Sequence, residues 1–260
     1  MQIEFKHYSI GLTLLITGVL LIAIGSLFWI PKPEEILTSL KSKEMLYSLK
    51  LSVFTASIAT LLVTFFAIPI GYAIARFSFK GKSLTKIIID LPIAFPELVL
   101  GLSLLLLFGN SPLGKILNLI GIKIVFTKLG IIVAQFFTAL PYAVRITCAS
   151  FQGVSVRYEV VSRTLGYNEL ETFFFITLPM AKNGIIASII ITFARCIGAF
   201  GAVLILAGGS YMHTEILPIT LYLNISYGNL GMAITSGFIL ILVSFVAITI
   251  FEICEKGNVY

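Results

Sequence analysis

Charge is scarce in this sequence. Of its 260 residues only 12% are charged, while 58% are hydrophobic. A soluble domain carries about 25% charged residues, so water is not the main solvent here, and a mean hydropathy of +1.05 agrees. Cysteine is thin too. Cys148, Cys196 and Cys254 lie in or at the ends of apolar segments, so no disulfide is expected and all three read as small apolar filler. His7 and His213 are far apart in sequence, and no spacing suggests a metal cluster. No nucleophile–base pair or paired carboxylates stand out. Serines and threonines are scattered along apolar stretches, where they commonly bond their own helix. The net charge is +6, but no basic face with interleaved aromatics accompanies it, so nucleic-acid binding is not expected. Polar–apolar alternation is also missing, which removes a membrane β-barrel.

What remains is a series of long apolar runs. Backbone in lipid must satisfy its own hydrogen bonds, which leaves helices, and crossing takes ~20 residues. Six runs qualify: 8–30, 46–75, 87–108, 129–150, 183–207 and 230–253. The expected fold is an all-α integral membrane protein of six transmembrane helices, one domain over residues 1–260. The second run is long enough to tilt or extend into water. The first exceeds a signal-peptide core, and no small-residue cleavage site follows it, so it is expected to stay uncleaved.

Orientation follows the Lys and Arg of short loops. With the N-terminus cytoplasmic, Lys6, Arg76, Lys80, Lys82, Lys86, Arg145, Arg157, Arg163, Lys182 and Lys256 lie inside. Lys32, Lys41, Lys43, Lys115, Lys123 and Lys128 then lie outside, while Lys50 and Arg195 fall within spans. Residues 208–229 hold no Lys or Arg, as suits an outer loop. Both termini are therefore expected in the cytoplasm, and so is the polar island 151–182 between spans four and five.

That island holds the most information. Glu159 to Thr172 contains no proline and mostly good helix formers, interrupted at Gly166. Glycine inside a helix costs ~1 kcal/mol, so two short helices meeting near Gly166 are expected along the membrane surface. Phe173, Phe174 and Phe175 would anchor the second, and Pro179 would end it. By contrast, Gly81-Lys82-Ser83 only mimics the end of a phosphate-binding loop. That pattern needs a glycine five residues earlier, where Arg76 stands, so any ATPase must be a separate chain.

The run Glu159-Val160-Val161-Ser162-Arg163-Thr164-Leu165-Gly166, then nine residues, then Ile176-Thr177-Leu178-Pro179, resembles the EAA loop of ABC importer permeases. Val160, Val161 and Ser162 stand where that loop usually carries small residues, mainly Ala. The likeness continues in Arg76–Ser83, similar to the basic inner loop of these permeases, and in Leu91–Gly101, similar to their proline-marked core helix. Phe193-Ala194-Arg195-Cys196-Ile197-Gly198-Ala199-Phe200-Gly201-Ala202 resembles the fifth-span signature of molybdate, tungstate and sulfate permeases. That signature has an acid between the glycine and the aromatic, where this chain has Ala199.

The resemblance implies a permease that does no chemistry itself. It implies two ATP-binding subunits, which would hold ATP and Mg, and an extracytoplasmic substrate-binding protein. With no internal six-span repeat, a second copy of the chain completes the pathway as a homodimer. The ATPase-coupling residues it implies are Glu159, Ser162, Arg163, Gly166, Glu169, Glu171 and Pro179. The pathway residues are Pro96, Glu97, Arg195, Gly198, Ala199 and Gly201. Molybdate or tungstate is the expected cargo, with sulfate or another small anion next. With few residues past span six, no cytosolic regulatory domain is expected.

Ionisable residues inside spans usually face a cavity or a partner. Asp90, Glu97 and Arg195 qualify. At 1.5 Å per residue Glu97 lies ~15 Å and Arg195 ~18 Å from the cytoplasmic end. Two readings stay open: Glu97 partners Arg195 and replaces the carboxylate absent at 199, or Arg195 bonds free backbone carbonyls while Glu97 is protonated or in water. Ala194, Gly198 and Ala202, spaced by four and widened by Gly201, are expected to form a stripe for close helix approach. The rival readings are a proton- or sodium-coupled transporter, with Asp90 and Glu97 as relay, and a membrane protein with no transport role.

Overall fold

The computed structural model describes residues 2–29 and 33–256. Lys32, the side chains of residues 251–256 (Cys254 and Lys256 among them) and the tail from residue 257 lie outside the described residues. Every element is helical. The first half holds α1 (Gln2–Trp29), α2 (Pro33–Leu40), α3 (Lys43–Arg76), α4 (Lys82–Ala94), α5 (Glu97–Gly109), α6 (Pro112–Leu119) and α7 (Lys128–Gly153). The island follows as α8 (Val156–Thr164), α9 (Glu169–Thr172), a π-helical turn (Phe173–Thr177) and α10 (Leu178–Met180). The chain then runs through α11 (Lys182–Ile197), α12 (Gly201–Ala207), α13 (Leu217–Ser226) and α14 (Leu230–Lys256).

Four helices, α1, α3, α7 and α14, are long and apolar enough to cross a membrane unbroken, and up to six spans result if each bent pair is taken as one. Two of the expected spans are not single straight helices. The third is broken into α4 and α5, which meet at 114°. Pro96 is the cause. A residue before proline is pushed into extended backbone, and Phe95 adopts φ −121°, ψ 160°. In the fifth, α11 bends by 73° from the preceding segment Glu169–Met180, and the helix is interrupted at Gly198–Phe200, where Phe200 has φ −124°, ψ −67°. The depths expected for Glu97 and Arg195 assumed straight helices; both residues instead sit at the breaks.

The centre is the trio α3, α7 and α11, which touch along most of their lengths. Small residues make this possible. α3 buries Ser52, Thr55, Ala56, Ala59, Val63 and Ala67 on one stripe. At Gly71 a Cβ would collide with the Thr147 hydroxyl on α7, and that hydroxyl donates across the interface to the Ala67 carbonyl at 3.1 Å. Ser188 on α11 donates to the Ala143 carbonyl of α7 at 3.3 Å. α1 lies apart, apolar and exposed, touching α14.

The loop expected on the outer face is more structured than its composition suggested. α13 buries Leu217, Pro218, Ile219 and Thr220. It is tied to the start of α3: Leu217 N–H donates to Ser52 Oγ at 2.8 Å, Thr220 Oγ1 to Ser48 Oγ at 2.7 Å, and Asn224 Nδ2 to Glu44 Oε1 at 3.1 Å.

Candidate functional site

The island is one folded unit. Ser155 caps α8. At its far end Gly166 N–H donates to Arg163 O and Tyr167 N–H to Ser162 O, the paired bonds that close a helix on a left-handed residue. Gly166 supplies that residue, at φ +96°, where a side chain would be strained. Asn168 then opens α9 in a capping box: its Oδ1 accepts from Glu171 N–H at 2.9 Å and Glu171 Oε2 accepts from Asn168 N–H at 2.8 Å. Two short helices meeting near Gly166 are thus as the sequence indicated.

The direction in which the residues face is not. Glu159 and Ser162, expected to contact an ATPase, are 2% and 4% exposed. Glu159 Oε1 accepts from Arg76 Nε at 2.7 Å and from Thr177 Oγ1 at 3.1 Å. Ser162 Oγ lies 3.0 Å from Thr172 Oγ1. These side chains hold the loop together, because a buried carboxylate must find a cation and further donors. Glu171 is spent on the cap. Arg163 and Glu169 are exposed and loosely paired at 3.7 Å, Gly166 is exposed at the turn, and Pro179 is exposed within α10. The outward face is instead apolar: Val160, Val161, Leu165, Tyr167 and Leu170. Polar residues turned in and valines turned out invert the usual pattern of a surface helix. That inversion was the missed signal, visible in the two valines beside Glu159. Phe174 and Phe175 are exposed as expected, whereas Phe173 packs on Tyr72 with ring centroids 4.8 Å apart.

The second candidate site lies where the two broken spans meet. Glu97 is the first residue of α5, and its carboxylate reaches the break between α11 and α12. Oε1 accepts from Arg195 Nη2 at 3.4 Å; Oε2 accepts from the backbone N–H of Phe200 at 3.3 Å and of Gly201 at 3.2 Å. Non-helical backbone at membrane depth needs such partners. On the other side of the break the buried Gln135 amide donates to Cys196 O at 2.9 Å. Arg195, in the last turn of α11, faces the favourable end of the helix dipole. Its guanidinium carbon stands 4.5 Å from the Tyr142 ring centroid, and its Nε is buried with no hydrogen-bond partner. The pair is half-solvated, with side-chain exposures of 40% for Arg195 and 32% for Glu97.

Around it, Pro96 and Gly198 are exposed, but Ala199 and Gly201 are buried. Ala199 packs in the core cluster. A Cβ on Gly201 would sit 3.1 Å from Glu97 Cβ. The expected stripe of Ala194, Gly198 and Ala202 is not continuous, because the break separates its members. Ala202 packs instead on Gly101, where a Cβ would stand 2.8 Å from Ala202 Cα; in the sequence that glycine only closed the proline-marked motif. Asp90 does not belong to this site. Both its oxygens accept from Arg145, at 2.9 and 3.0 Å. Glu215, also not foreseen, is 2% exposed beside α13, and burial with the nearby Glu44 charge pushes its carboxyl above the ordinary range.

The chain is thus a helical bundle whose two broken spans meet at an ion pair, with an ordered loop that turns apolar residues outward. The comparisons supply its class. Residues 67–258 match the family described as binding-protein-dependent transport system inner membrane component, and the chain belongs to it. It is 34% identical to the molybdate/tungstate transport system permease protein of Methanocaldococcus jannaschii, over 94% of this chain and 96% of that protein. It is 32% identical to a sulfate transport system permease protein of Synechococcus elongatus, over 81% and 75%. In fold it resembles a bacterial ABC transporter involved in the import of the acidic polysaccharide alginate, with a TM-score of 0.75 at 15% identity over 98% of this chain and 97% of that one. This is an ABC transporter permease, a multi-pass transport subunit and not an enzyme.

Proposed function

We propose that this chain forms the translocation pathway of an ATP-driven importer for molybdate or tungstate. It works as a homodimer with two cytoplasmic ATP-binding subunits and an extracytoplasmic binding protein. Both termini lie in the cytoplasm. ATP and Mg belong to the ATP-binding subunits, and this chain carries no cofactor. The observation behind the coupling role is the inverted loop, whose folded interior is polar while Val160, Val161 and Leu165 face outward. Substrate class rests on the relative that matches nearly end to end; the sulfate permease, matched over less of its length, supports sulfate as the second reading.

In mechanism, ATP closes the two ATP-binding subunits and draws the two coupling loops together. The bundle opens outward, the anion arrives from the binding protein, and hydrolysis resets it. At the breaks Glu97 neutralises Arg195. An unpaired Arg195 would hold a divalent oxyanion too tightly to release it. Asp90, bound at both oxygens by Arg145, is poorly disposed to act as a proton relay.

Co-purification with a candidate ATP-binding subunit tests the coupling role, comparing wild type with Gly166→Trp. The expected result is two ATP-binding subunits per two permeases in wild type and their loss in the variant. If neither form binds one, 151–182 is only an interfacial helix. Uptake of molybdate, tungstate and sulfate by the assembled transporter then ranks the anions.

A further inference from the structure

The joint between the island and α3 has no role in the function just described. α3 is the 34-residue helix that ends at Arg76. From there Arg76 reaches two elements at once: Nε donates to Glu159 Oε1 on α8 at 2.7 Å, and Nη2 donates to the Val154 carbonyl at the end of α7, also at 2.7 Å. Thr177, in the π-helical turn, holds the same Glu159 oxygen. One turn earlier on α3, Tyr72 packs edge-on against Phe151 at the end of α7, centroids 5.4 Å apart, and against Phe173 of the π-helical turn. The ion pair is dry, with side-chain exposures of 9% and 2%.

A dry pair behaves differently from a surface pair. It cannot slide without stranding a charge, so the groups it joins move as one body. The island is covalently continuous with α7 and α11 alone. Through Arg76 it is also fastened to α3, the helix that packs along both of them.

We infer that Arg76 is a positioning residue for transport, the tie through which movement of the coupling loop is passed to α3 and hence to the bundle centre. The inference rests on the coupling role proposed above. It makes Glu159 an internal strut and not part of the docking surface. A loop whose apolar face is seated on an ATP-binding subunit but whose tie is cut still binds and still permits hydrolysis, while the bundle follows less faithfully.

The test uses the transporter assembled with its ATP-binding subunits and binding protein in liposomes. Replacing both partners together, Arg76→Met with Glu159→Leu, removes the tie without leaving a buried charge unpaired. The expected result is retention of the ATP-binding subunits and of ATP hydrolysis, with molybdate delivered per ATP falling roughly tenfold. An unchanged ratio overturns the inference. So does loss of the ATP-binding subunits, which would make Glu159 a docking residue. If the double variant does not assemble, Thr177→Val removes the hydroxyl that contacts Glu159 at 3.1 Å and, more weakly, the Thr172 carbonyl at 3.5 Å; a fall of about twofold in the same ratio supports the tie, and no fall overturns it. Failure of the underlying reading shows separately, as a wild type that binds no ATP-binding subunit. A wild type that couples hydrolysis only to sulfate changes the cargo and leaves the ratio to be read with sulfate.

Discussion

Two of the ion pairs that join distant parts of this chain are built differently. Arg76–Glu159 is short, dry and shared by four elements. Arg195–Glu97 is longer, half in solvent, and leaves one guanidinium nitrogen without a partner. In water an ion pair is worth little; in a dry site losing one member is costly. The first pair therefore fastens and the second can open. For the importer proposed above, the first behaviour suits the coupling loop and the second the pathway.

The comparison breaks most visibly at the dry pair. Arg76→Met alone leaves Glu159 buried without its cation and is expected to cost about 3–5 kcal/mol, read as a large fall in thermal midpoint in detergent. The double replacement with Glu159→Leu should recover most of that stability. If the single and double variants are equally stable, the pair is not as dry as its geometry indicates.

At the half-solvated pair, function should suffer more than stability. Glu97→Gln and Arg195→Gln are each expected to slow uptake while shifting stability by about 1 kcal/mol or less. Combined, they should restore part of the uptake that either loses. Strictly additive defects would mean that the two side chains act separately. Gly101→Ala addresses the same site from behind. Its Cβ would press on the Ala202 backbone, forcing α5 from α12 at a cost of about 1–3 kcal/mol. Uptake should fall with the docking of ATP-binding subunits unchanged, as a pull-down would reveal.

A smaller effect is expected at Glu215. Its carboxyl titrates above the ordinary range because it is buried and faces Glu44. The folded state therefore binds the proton more tightly than the unfolded chain. Stability is greatest in acid and declines as pH rises through the raised value. Glu215→Gln should accordingly raise the thermal midpoint slightly at neutral pH, with the gain vanishing below the ordinary glutamate value of about 4.3.

Much of this was legible in the sequence, for identifiable reasons. Long apolar runs have one solution in lipid, so helices, and up to six spans, followed from length and composition. Gly166 and Asn168 acted locally, through backbone and cap, and the turn between α8 and α9 could be read from them. The breaks were harder. Pro96 was noticed, but a proline in a membrane helix gives only a kink unless a partner satisfies the freed backbone. That partner, Glu97 against Phe200 and Gly201, is about a hundred residues away. The facing of Glu159 failed for the same reason: its cation, Arg76, is distant in sequence, and a family motif says which residues matter without saying which way they point. α13 was invisible because its partners Ser48 and Ser52 lie on a helix that looked merely apolar.

The neutrality of the Glu97–Arg195 pair has an electrical consequence. Moving one elementary charge through a membrane potential takes about 2.3 kcal/mol per 100 mV. If the two side chains shift together, they carry no net charge across the field, and the bundle can change state without doing electrical work of its own. The voltage dependence of import is then that of the cargo alone. A divalent anion entering a cell that is negative inside meets about 4.6 kcal/mol per 100 mV, a load that falls on ATP hydrolysis.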